Sequence, residues 1–233
     1  MAVLMTGHFV AHTVTVDGAP RRYQVWLPAS YDASRRWPAI LFLHGSGERG
    51  DDGEVQTMVG LGRALRDGKV DPQAVVIFPQ CPAGGHWTGP ARRIAVAALD
   101  QAIRDYAIDQ KRIALTGISM GGAGTWALAA EQPQRFSAIA PVCGWVRRPP
   151  NLTGLGDVAD DYATLAAKLD RVPVWIFHGG ADTVVPVAES RAMAAALGAN
   201  AAYTEFPSAT HNAWDPAYTT TDMVEWLVKQ KRR

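Results

Sequence analysis

Five short apolar runs recur along this chain with no polar residue to mark an exposed face: Ala39-Ile40-Leu41-Phe42-Leu43, Ala74-Val75-Val76-Ile77-Phe78, Ile113-Ala114-Leu115, Ala138-Ile139-Ala140 and Val174-Trp175-Ile176-Phe177. A strand with one face in water would alternate, so each run reads as a strand covered on both sides, and such strands belong to a parallel sheet. Between them, residues 54–67, 91–107, 120–131, 160–169, 187–197 and 220–230 repeat Ala and Leu at helical spacing. The alternation predicts an α/β chain folded as a three-layer αβα sandwich. Ahead of the first run, residues 9–16 and 22–27 are β-rich segments around Asp17-Gly18-Ala19-Pro20, a turn sequence suited to an antiparallel hairpin at the sheet edge. With Tyr203-Thr204-Glu205-Phe206 as the last strand, the expectation is a mostly parallel eight-stranded sheet. No repeat or linker marks a second unit, so residues 1–233 are expected to form one domain. The irregular stretch 143–159, with Arg147-Arg148-Pro149-Pro150, is expected to be a surface loop or minimal lid.

Composition narrows what such a domain can bind. With 48% apolar residues over 233 positions, the chain buries enough surface to fold without a metal or disulfide. Its net charge of +1, without long basic runs, gives no footprint for nucleic acid or an anionic membrane. No stretch reaches the ~18 apolar residues of a membrane span. The segment Met1 to Val16 lacks a basic start followed by a long apolar run, so a cytoplasmic protein is expected, a longer secreted precursor being the alternative. Cys81 and Cys143 follow strands that are not neighbours in this layout and are expected as two free thiols. Neither has the spacing of a zinc site.

Gly117-Ile118-Ser119-Met120-Gly121 follows one apolar run and opens an Ala-rich helix, the setting in which G-x-S-x-G forms a strained strand-to-helix turn. Glycines are needed there because side chains would collide across the turn that lifts the serine hydroxyl above the sheet. The bland alternative is a serine that caps a helix beside packing glycines. A phosphate loop is excluded, since Ala123 stands where lysine is required. A serine hydroxyl needs a base to take its proton and a carboxylate to hold that base, supplied by such a turn in the chain order serine, acid, histidine. Asp182 follows the strand and turn of Val174 to Gly180, although it could instead cap Thr183-Val184-Val185. His211, in the loop before the C-terminal helix, is the sole histidine after Asp182. Asp160 and Asp161 are the reserve acids, while His44 and His178 read as structural histidines at strand ends.

The same chemistry needs two donors for an oxyanion. Met120 N–H supplies one by position, and the loop His44-Gly45-Ser46-Gly47-Glu48-Arg49-Gly50 the other, with Ser46 N–H preferred and Gly47 as fallback. Glu48 and Arg49 are expected to brace that loop. Gly45-x-Gly47-x-x-Gly50 also imitates a dinucleotide fingerprint, but the next strand ends in Pro79-Gln80 without a ribose-binding acid, and Asp51 and Asp52 would face the pyrophosphate. Trp87, Trp145 and Trp214 fall in loops at the C-terminal ends of strands and are expected to line a substrate pocket, with loop packing as the alternative.

Together, His44 to Gly50, Gly117 to Gly122, His178-Gly179-Gly180-Ala181-Asp182 and His211-Asn212-Ala213-Trp214 resemble α/β-hydrolase carboxylesterases of the group containing dienelactone hydrolases, feruloyl and acetylxylan esterases and prolyl oligopeptidase-like enzymes. The resemblance spans residues 20 to 230. It implies hydrolysis of a small-molecule carboxylic ester through an acyl-enzyme on Ser119, with His211 as base, Asp182 as acid, and no cofactor or metal. It departs from dienelactone hydrolases in placing Ser119 where those use cysteine. A peptidase of the same group would need a further domain or lid to grip a peptide.

Overall fold

The computed structural model describes residues 7–232. The start of the Met1 to Val16 segment, residues 1–6, lies outside the described residues. Strands β1 (His8–Val16) and β2 (Ala19–Leu27) form an antiparallel hairpin. Asp17 and Gly18 both take positive φ, 52° and 75°, so the turn is shorter than the four residues expected, and Pro20 already lies in β2. Strand β2 pairs antiparallel with β4 (Val75–Pro79); from there β3 (Trp37–Leu43), β5 (Ile108–Ile118), β6 (Ala138–Val142), β7 (Val174–Gly179) and β8 (Ala201–Phe206) continue in parallel. The order is β1-β2-β4-β3-β5-β6-β7-β8, an eight-stranded sheet as expected.

Its two faces carry separate cores. One is built from β-strand residues such as Leu41, Leu43, Leu115 and Ile176, packed under α2 (Arg92–Asp105), α3 (Met120–Glu131), α4 (Tyr162–Lys168) and α5 (Ala188–Leu197). The other packs Ile40, Phe42, Val76 and Phe177 under α1 (Gly60–Arg66), α6 (Trp214–Thr219) and α7 (Met223–Lys229). Successive residues of one strand feed opposite cores, which is why the runs show no polar face.

Element ends differ where local chemistry overrides periodicity. The helix expected over 54–67 begins only at Gly60, behind a 3₁₀ turn at Val55–Thr57 whose first N–H groups are taken by the Asp52 carboxylate. Gly60, at φ 54°, lies so close to the Phe42 ring that a Cβ would stand 3.1 Å from it. The helix expected over 220–230 is α7, which begins only at Met223; a separate helix, α6, precedes it and ends where Thr220 and Thr221 turn their hydroxyls onto the carbonyls of Pro216 and Ala217. Residues 143–159 form an irregular connection tied internally by Val158 N–H to the Val146 carbonyl and Arg148 N–H to Asp157.

Candidate active site

Strand β5 ends at Ile118 and α3 begins at Met120, leaving Ser119 alone at the turn with φ 52° and ψ −116°. That conformation is strained for any residue with a side chain, and the flanking glycines permit it. A Cβ at Gly121 would overlap the Leu43 carbonyl, and one at Gly117 the Gly121 carbonyl. The turn is pinned by Ser119 N–H donating to the Val142 carbonyl at 2.9 Å. Strand, turn and helix thus hold the hydroxyl above the C-terminal edge of the sheet.

His211 Nε2 lies 2.8 Å from Ser119 Oγ, and its Nδ1 lies 2.7 Å from Asp182 Oδ2. Three residues far apart in sequence therefore form one continuous hydrogen-bonded line. Asp182 also does what the bland reading expected, since its Oδ1 accepts the N–H groups of Val184 at 2.8 Å and Val185 at 3.0 Å. One oxygen caps the turn and the other faces the imidazole. Burial alone would raise the Asp182 carboxyl, but hydrogen bonds from His178, His211 and Val185 N–H outweigh it and hold the group well below the usual carboxylate range. Asp161 instead caps α4 through Thr164 N–H at 2.7 Å.

The loop from His44 to Gly50, expected to supply an oxyanion donor, is braced from beneath. Buried His44 accepts Cys81 N–H at Nε2 (2.9 Å), so Nδ1 carries the proton and donates to the Gly45 carbonyl at 2.6 Å. Because a trans peptide is planar, fixing that carbonyl turns the Ser46 N–H the opposite way. Arg49 Nε holds the Ser46 carbonyl at 2.9 Å, and burial pushes the Glu48 carboxyl up. A Cβ added at Gly45 would lie 3.7 Å from that of Ser119, which puts this loop against the serine. Met120 opens α3, so its N–H belongs to the first turn, where no intrahelical acceptor exists.

The tryptophans divide. Trp87 is fully buried, its Nε1–H donating to the His44 carbonyl at 2.9 Å, and Trp145 is buried with Nε1–H on the Gly156 carbonyl at 3.0 Å. Neither presents surface to a ligand. Trp214 is half-buried and stands edge-on to His211 with ring centroids 5.4 Å apart. Clefts of about 290 Å³ beside Arg21, Asp51 and Gln80, and of about 990 Å³ beside Ser137, Arg171 and Pro173, are lined by none of Ser119, Asp182 and His211. Geometry, not cavity size, locates the chemistry.

Two features were not foreseen. His178 Nε2 lies 3.3 Å from Asp182 Oδ2, a contact hinted at only by the four-residue spacing in His178-Gly179-Gly180-Ala181-Asp182. The Cys143 thiol approaches Asp182 and His211, with potential ligand atoms of all three within 4.8 Å. A metal gains little there: burial keeps the thiol protonated, and the carboxylate oxygens already accept hydrogen bonds. Both cysteines are free and buried.

Comparison with known proteins gives the setting. The Esterase family model, described as "Putative esterase", matches residues 16–226. A protein of Arthroderma benhamiae described as an "Uncharacterized secreted protein" is 28% identical over 241 residues, covering 90% of this chain and 25% of its own length. A "Probable feruloyl esterase C" of Aspergillus terreus is 26% identical over 173 residues, covering 72% of this chain and 57% of its own. The chain thus spans between about a quarter and somewhat over half of these relatives. A solved "Thermostable Esterase" superposes with a TM-score of 0.80 at 30% identity, covering 96% of this chain and 63% of that one. The sheet order and these neighbours identify the α/β-hydrolase fold. The expected cytoplasmic location is overturned: a relative matching 90% of the chain is a secreted protein, which points to secretion. The residues that build a catalytic fold carry no record of the compartment in which it works.

Proposed function

The chain belongs to the Esterase family, and from that premise we propose that it is a carboxylic ester hydrolase working through an acyl-enzyme on Ser119, with His211 as general base and Asp182 as the acid that orients it. One observation carries the reading: the unbroken line Ser119 Oγ, His211 Nε2, His211 Nδ1, Asp182 Oδ2, with steps of 2.8 and 2.7 Å. His211 takes the hydroxyl proton as Ser119 attacks the ester carbonyl, and the resulting imidazolium is held by Asp182. The tetrahedral oxyanion is received by the N–H groups of Met120 and Ser46. Collapse expels the alcohol with the proton from His211, and water activated by the same imidazole releases the acid. The reading treats the chain as one hydrolase domain with 143–159 as a minimal lid.

A narrower reading favours aromatic acyl esters of plant cell walls. It is supported by the likeness to a feruloyl esterase and by Trp214, the half-buried ring beside the base. The test is direct. Ser119→Ala should fold normally and lose turnover of a short-chain nitrophenyl ester, and a fluorophosphonate should label a peptide containing Ser119; full turnover in the purified variant would sink the assignment. A panel of feruloyl, acetyl-sugar and peptide substrates then separates the wall-ester reading from a general esterase or a peptidase.

A further inference from the structure

His178, the penultimate residue of β7, has a fully buried side chain and no step in the acyl-transfer scheme. Its Nδ1 meets the hydroxyl of Ser190, on α5, at 2.6 Å, and its Nε2 lies 3.0 Å from the Val185 carbonyl. A carbonyl can only accept, so Nε2 carries the proton. The same Nε2–H is 3.3 Å from Asp182 Oδ2, the oxygen that also receives His211 Nδ1–H. The carboxylate thus accepts two backbone N–H groups on Oδ1 and His211 Nδ1 on Oδ2, with the His178 Nε2–H in close contact with that second oxygen. A histidine needed only to fill the strand end would be satisfied by Val185 and Ser190 alone.

We propose that His178, locked by Ser190, is a positioning residue for the catalytic acid: it fixes the Asp182 carboxylate from the side opposite His211 and limits how much negative charge Oδ2 offers to that base. The inference rests on the triad reading above. Held by two N–H groups on one oxygen and by His211 on the other, with His178 against that second oxygen, the carboxylate is restrained about its terminal torsion, so the imidazole it carries keeps its aim at Ser119. A second imidazole N–H beside Oδ2 also weakens the pull of that oxygen on the His211 imidazolium. Two other titratable elements face the cluster. The Cys143 thiol, after β6, is kept neutral by burial, and Glu205, on β8, is paired to Arg191 of α5 at 2.7 Å. Neither changes charge across the working range of a histidine base.

The experiment compares kcat/KM against pH for wild type, His178→Phe, His178→Gln and Ser190→Ala on one nitrophenyl ester. His178→Phe keeps the ring volume and removes the donor; its acid limb should move up by roughly half a pH unit, with kcat about tenfold lower and KM unchanged. His178→Gln restores an N–H donor and should return the limb toward wild type. Ser190→Ala frees the ring and should move the limb in the same direction by less, and it decides the matter if His178→Phe does not fold. Limbs that stay in place while only the melting temperature falls would reduce His178 to a packing residue and overturn the proposal. Ser119→Ala, run alongside, separates the two readings: surviving turnover there refutes the nucleophile, not His178.

Discussion

Lowering the pH from 7 to 5 should cost the fold about 2 kcal/mol through His44 alone. Burial holds the His44 imidazole down to about 4 from an ordinary value of 6.5, against a smaller upward pull from its bond to the Gly45 carbonyl. The folded protein thus refuses a proton that the unfolded chain accepts throughout the interval. Stability rises with pH wherever the unfolded state binds more protons, so this contribution is complete above 6.5 and is lost as pH falls toward 4. Integrated from pH 7, the loss is about 2 kcal/mol at pH 5 and about 3 at pH 4, a large share of the 5–15 that a typical domain possesses. Urea unfolding of wild type and His44→Gln at pH 7 and pH 5 measures it. Glutamine can still bond Gly45 or Cys81 but does not titrate. His12 and His86, also lowered chiefly by burial, destabilise both proteins alike on acidification and cancel in the difference. Equal losses in the two proteins would refute the argument that His44 is held neutral inside the fold.

Asp182→Asn should lower kcat by about 10⁴-fold, because the amide must turn its NH₂ toward one of two pairs of donors and either misorients His211 or empties the turn; steady-state kinetics would show it, and a drop below tenfold would remove Asp182 from the mechanism. Neither thiol should react with a disulfide reagent in the native protein at pH 8, since burial pushes Cys81 up to about 12 and raises Cys143 as well; both should react in denaturant, and one native thiol reacting quickly would mean an open path into the core. Trp87→Ala should cost about 3–5 kcal/mol in unfolding experiments, whereas Trp214→Ala should leave the melting temperature nearly unchanged and raise KM; the reverse pattern would exchange their roles.

Much of the fold was legible because its determinants are local. A strand buried on both faces must be apolar at every position, so β3, β4, β6 and β7 could be read from their runs alone. Strand β5 was read only over its buried residues 113–115, because Asp109, Gln110 and Lys111 belong to its less buried start and carry no apolar signal. Helix ends were harder, since they depend on side-chain bonds such as Asp52 to Glu54 and Val55 or Thr221 to Ala217, which compete with the backbone and leave no trace in periodicity.

The site shows the same division between chain order and three-dimensional contact. Ser119, Asp182 and His211 could be named because each sits just beyond a strand, and a parallel sheet delivers all such positions to one edge. That rule cannot say which way a side chain turns. Trp87 and Trp145 obey it as well as Trp214 does, yet the first donates inward to the His44 carbonyl and the second to Gly156, so both serve the scaffold beneath the site. The two histidines set aside as structural prove the point from the other direction. His44 fixes the loop beside Ser119 through the Gly45 carbonyl, and His178 reaches Asp182 itself; buried and fully bonded, they read as core residues because that is also what they are. In a strained turn, rigidity is part of the chemistry, so a residue that packs the base of the loop also sets the position of the N–H above it.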